Sequence, residues 1–150
     1  MPNYSIKNLK TFRGMEGQGF NLTLYRDGIK VATVDDDANG GCFHFHWFDR
    51  NEESILKKHC ESLPNCGPFE IMDAFVDELV NDALLSKKML SSLKKKTLFV
   101  MNELLYTVNA PYTPELGVRL QARYLLTPIT ILNSLPTDEA YRLFNKYGVK

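Results

Sequence analysis

The chain is poor in everything that would announce its function at once. It has three cysteines in 150 residues, Cys42, Cys60 and Cys66. That number is too small and odd for a disulfide framework, so the expected setting is a reducing compartment, the cytoplasm. Net charge is missing too: eighteen Lys and Arg balance eighteen Asp and Glu. A neutral chain has no global pull toward nucleic acid or anionic lipid, and any such contact must come from a local patch. No apolar run approaches the ~18 residues that a membrane-spanning helix needs. The opening MPNYSIKNLK lacks the apolar core of a signal peptide. The glycines of GMEGQG, at 14, 17 and 19, fit neither the dinucleotide spacing nor the Gly-Lys-Ser/Thr ending of a phosphate loop. They read as a hairpin connection.

What is present is an ordinary globular composition. With 44% hydrophobic and 24% charged residues, the chain can bury a core and is not disordered. Residues 4–13 read as a strand. The segment FNLTLYRDGIKVATV, residues 20–34, is a hairpin, because Asp27-Gly28 supplies the positive dihedrals of a two-residue type I′ turn. That turn predicts Tyr25 opposite Lys30, Leu24 opposite Val31 and Leu22 opposite Thr33. A second turn, DDDANGG, leads to a strand containing CFHFHW.

Beyond residue 48 the apolar period becomes helical. Asp49 or Asn51 caps a first helix carrying Ile55, Leu56, Cys60 and Leu63. A longer one places Ile71, Met72, Phe75, Val76, Leu79, Val80, Ala83 and Leu84 at spacings of three and four. It starts acidic and ends basic, in the order a helix dipole favours, although the serines of MLSSLKKK threaten to break it. TLFVMNELLYTV predicts a second hairpin near Asn102-Glu103. Thr113 and Pro114 open another helix, ITIL is a short strand, and a last helix runs from Thr137 as cap to Gly148 as terminator. The expected fold is α+β: an N-terminal antiparallel meander of three to four strands packed on helices, then a β-hairpin and two further helices. A single domain spans 1–150, and an internal seam, if there is one, falls at about 90–97.

Three constellations bear on chemistry. In CFHFHW the strand period puts Cys42, His44 and His46 on one side, with Phe43, Phe45 and Trp47 on the other. Imidazole and thiolate are zinc ligands, but three such positions span roughly 13 Å of strand, too far for one ion. The simpler expectation buries the aromatic side and leaves the polar side in water. The run DDDANG resembles the opening of a calcium loop through Asp35, Asp37, Asn39 and Gly40, yet its twelfth position is His46 instead of a glutamate. No cofactor is therefore the first expectation. Zinc or another divalent metal held by His44, His46, Cys42, Asp35 and Asp37, in a metal-dependent hydrolase or a metal-binding protein, is the alternative. His59 and Cys60, adjacent on a helix, point about 100° apart and make no nucleophilic pair. Lys94, Lys95 and Lys96 form the one basic run and the candidate nucleic-acid contact, though a solvated helix end explains them as well.

Over KTFRGMEGQGFNLTLYRDGIKVATVDDDANGG and APYTPELGVRLQARY the chain resembles small uncharacterised proteins encoded by bacteriophages and prophages. The resemblance covers most of the chain and carries no catalytic motif. It implies a phage accessory protein acting in a bacterial cytoplasm, where such proteins bind and block host machinery, including antiviral defence. The leading expectation is thus a non-enzymatic binder of a host protein or complex. Its candidate contacts are Tyr25 and Lys30 on the first sheet and Asp73 and Asp77 on the acidic helix.

Overall fold

The computed structural model describes residues 1–148, so the last two positions of the expected 1–150 domain lie outside the described residues. The fold is α+β. Two compact units divide within the long helix, one Met1–Asp82 and the other from Ala83 onward.

In the first unit, β1 (Tyr4–Gly14), β2 (Gly17–Arg26), β3 (Ile29–Asp36) and β4 (His44–Trp47) form an antiparallel meander in sequence order. Asp27 and Gly28 adopt φ of 51° and 83°, as a type I′ turn requires. Tyr25 faces Lys30. The ladder then slips: Leu24 pairs with Ala32 and Leu22 with Val34. Val31 is the extra residue of a β-bulge, which sends every later position of β3 to the face opposite the one expected. As a result Val31 and Ala32 are both buried, and Ala32 and Val34 join Phe20, Leu22 and Leu24 on the inner face. Gly19 is where only glycine fits, since a Cβ there would run into the backbone carbonyl oxygen of Asp36 and the Phe12 ring.

Helices α1 (Asn51–Glu61) and α2 (Ile71–Lys95) follow. Within this unit they bury Leu56, Cys60, Val76 and Val80. The Tyr4 ring meets His59 at 5.2 Å and Phe75 at 5.6 Å, which joins β1 to both helices. Asp49 accepts from the Asn51 N–H at 2.9 Å, but neither residue caps α1 as expected: Arg50 takes the cap position and makes no side-chain cap bond. Arg26 grips Glu52 through two bonds of 2.7 and 2.8 Å, a bidentate link from β2 to α1. On β4 the aromatics turn inward as expected, half-buried. Phe45 stacks on Trp47 at 5.4 Å, and Phe43, just before the strand, meets Phe20 edge-on at 4.9 Å.

The second unit is built round β5 (Thr97–Met101), paired with β6 (Leu104–Val108) on one side and β7 (Thr130–Ile131) on the other. Asn102 and Glu103 both take positive φ, the two-residue turn the sequence predicts. Adjacent residues of β5 point to opposite faces. Leu98 packs with Met89, Leu132, Ala140 and Phe144, and Phe99 with Leu120 and Ile131. α3 (Pro114–Arg123) starts as read, with Thr113 accepting from Leu116 N–H at 3.1 Å. α4 (Thr137–Tyr147) differs: Pro136 takes the cap position and Thr137 lies inside the helix. Gly148 donates to Phe144 O at 2.8 Å and ends it. The serines do not break α2. Its C-terminal end has a partner in Asn133, whose amide donates to Leu93 O in the last turn and to Lys96 O just beyond it, at 3.1 and 2.9 Å.

Candidate functional site

Residues that alternate with the buried ones of the first sheet form its outer face. The pairs Asn21–Asp35 and Thr23–Thr33 join β2 to β3, while Thr33–His46 and Asp35–His44 join β3 to β4. Because the Val31 bulge turns Thr33 and Asp35 outward, Asp35 stands among the histidines. Its carboxylate meets His46 Nε2 at 3.0 Å through one oxygen and His44 Nδ1 at 3.2 Å through the other. Asn8, Lys10, Asn21, Thr23, Thr33 and Asp35 line an open depression of about 350 Å³ beside them. The surface is polar and mixed in charge, with hydroxyl, amide, ammonium, carboxylate and imidazole groups held at fixed cross-strand spacings.

The other sequence candidates scatter. Cys42 is exposed and precedes β4, and its thiol is free. Asp37 turns its carboxylate to the Asn39 N–H at 3.0 Å, and Asp36 does the same to Ala38 N–H; these are self-bonded turns, the usual reason Asp and Asn gather there. Among the described residues, no group of three or more His, Cys, Asp or Glu stands ready to hold a metal ion.

Tyr25 does face outward, but Lys7 lies over its ring at 4.8 Å and leaves it 9% exposed. Its partner Lys30 is exposed. Asp73 is committed to the Phe43 N–H at 2.7 Å, whereas Asp77 is exposed and takes only Asn81 of its own helix, at 3.3 Å. Lys94, Lys95 and Lys96 are all exposed at the end of α2.

His59 and Cys60 form no nucleophilic pair. The His59 ring lies against Tyr4 and Phe75. Burial first, and the nearness of Cys66 second, push the Cys60 thiol up to about 11. Both thiols line a small cavity of about 70 Å³ with Ile71 and Phe75.

The strand period of β2 places Asn21 and Thr23 with Tyr25 on this outer face, as the sequence indicates; sequence reasoning missed Lys10 and Thr33, the second because the bulge hid it. No family model, curated protein or solved structure matches the chain. Among the described residues no helix is long and apolar enough to cross a membrane.

Proposed function

We propose that this chain is a non-enzymatic binding protein that uses the outer face of its first sheet. In the phage setting that the sequence resemblance implies, the partner is a host bacterial protein or complex in the cytoplasm, and binding inhibits an antiviral defence. One observation supports the reading: Asn21, Thr23, Thr33, Asp35, His44 and His46 share a solvent-open face of a paired four-stranded sheet whose other face is core. Side chains fixed on such a platform lose little freedom when a partner docks, which lowers the entropic cost of association. Lys30 and Asp77 remain exposed for peripheral contacts; rim charges of that kind affect encounter rate more than affinity.

The test is capture from bacterial lysate by the tagged protein and by two variants with wild-type melting behaviour. A stoichiometric partner lost with Asn21→Arg/Thr33→Arg but retained with Asp77→Lys supports the assignment. Turnover of a small substrate with no stoichiometric partner overturns it, as does a partner that both variants retain.

A further inference from the structure

We propose that the second unit binds the phosphate backbone of double-stranded nucleic acid along the last turns of α2, without reading base sequence. The inference concerns this unit alone and stands apart from the sheet-face reading above. The chain is neutral only as a whole. Met1–Asp82 carries fourteen Asp and Glu against eight Lys and Arg, a net −6, while Ala83–Lys150 carries ten Lys and Arg against four Asp and Glu, a net +6. At physiological ionic strength a charge is screened within about 8 Å, so a large partner meets the local sign and not the sum. Nine of those ten cations lie among the described residues, and all nine are exposed.

Four of them stand on α2 in two rows, and Lys96 follows its end. Lys87 and Lys94 are seven residues apart, as are Lys88 and Lys95, so each row repeats after two turns, about 10.5 Å along the axis. Lys87 and Lys94 line an open groove of about 530 Å³ with Ala83, Ser86, Leu90 and Ser91. This lining has the chemistry of a phosphate contact. The ammonium groups supply charge, the Ser86 and Ser91 hydroxyls can donate to phosphate oxygens, and Ala83 leaves room for close approach. Among the described residues the groove holds no aromatic ring to stack a base and no Asn, Gln or Arg to pair a base edge. Backbone contact to a duplex therefore fits better than capture of a single strand, which draws on stacking. Arg119, Arg123, Arg142 and Lys146 do not line the groove; they add to the positive field that draws a polyanion toward it.

The test is fluorescence anisotropy of a labelled DNA duplex of about 20 base pairs, titrated with the full chain between about 50 and 200 mM salt. Neutralising four phosphates gives a slope of about −3.6 in log affinity against log salt, a loss of roughly 150-fold across that range. Lys87→Glu/Lys94→Glu should weaken binding at least about tenfold and flatten the slope to about −2. Lys57→Glu/Lys58→Glu makes the same charge change at exposed positions of α1 in the first unit and should leave affinity within about twofold. Lys87→Arg/Lys94→Arg should retain both affinity and slope. A wild-type slope shallower than about −1, no binding below about 100 µM protein at the lowest salt, or equal losses from the two glutamate pairs overturns the proposal. Capture on phosphatidylserine vesicles under conditions where the duplex stays free overturns it too. The wild-type slope decides the case even if a variant fails to fold.

Discussion

The carboxylate of Asp73 accepts the backbone N–H of Phe43 at 2.7 Å across thirty residues of sequence. It fastens the entry of β4 to the first turn of α2, where a negative charge also suits the helix dipole. Asp77, one turn further along, makes only a 3.3 Å bond to Asn81. Two aspartates that look equivalent in sequence therefore do different work. Asp73→Ala should destabilise by about 1–3 kcal/mol, because it strips a charged acceptor from a part-buried donor. Asp77→Ala should stay within about 0.5 kcal/mol of wild type. Urea midpoints of the two variants decide the matter, and equal midpoints would remove the structural role given to Asp73.

Asn133 is the corresponding fastener of the second unit. Its amide nitrogen serves Leu93 O and Lys96 O, and its oxygen accepts from Leu98 N–H at 2.9 Å. One side chain thus ends α2 and starts β5. Asn133→Ala should cost about 1–3 kcal/mol, the usual loss when several partly buried backbone groups go unpaired together. Asn133→Asp keeps the acceptor but loses both donors and sets a negative charge at the negative end of a helix, so it should cost at least as much. Thermal melts of both variants measure this; an alanine variant that melts like wild type contradicts it.

The sequence made turns and caps legible where a residue has few alternatives. Asp27-Gly28 adopts the positive dihedrals expected of it, the second hairpin turns at Asn102-Glu103, and Thr113-Pro114 opens α3 as read. The bulge at Val31 was not legible. In the run Val31-Ala32-Thr33-Val34 no residue is marked as the extra one, since each fits a strand equally well. Yet that single residue decides the site. Without it Thr33 would share a face with Leu22, and Asp35 would lie beside Phe20 instead of between the two histidines. Asn133 was illegible for another reason: its bonds reach across 35–40 residues, and no local pattern encodes a contact at that range.

Tyr4 carries a different kind of consequence. Its hydroxyl is buried and has no hydrogen-bond partner among the described residues. Burial first, and the charge of Glu52 next, push the phenol up from its ordinary 10 to about 12. A neutral form favoured by folding contributes stability that is complete below pH 10 and is lost as pH rises from 10 toward 12. Tyr4→Phe removes an unpaired polar atom while keeping the ring against His59 and Phe75. It should leave neutral-pH stability unchanged or raise it by about 1 kcal/mol. It should also flatten the alkaline decline. Denaturation curves at neutral pH and across that window test both halves, and a variant that declines in parallel with wild type shows that Tyr4 is not the group responsible.

The three thiols should separate by rate. Cys42 and Cys66 are exposed, while Cys60 is 2% exposed with its thiol at about 11. Reaction with a disulfide reagent requires the thiolate, and a thiol at that value has about a hundredfold less of it at pH 8 than an ordinary cysteine. Exclusion of the reagent from the core adds to this. Two equivalents should react promptly in the folded protein, and the third only as denaturant unfolds it. Cys60→Ser should abolish the slow phase, and Cys66→Ser should remove one fast equivalent. Three thiols reacting together under native conditions would mean that α1 does not bury Cys60, and the assignment of that helix face to the core of the first unit would fall with it.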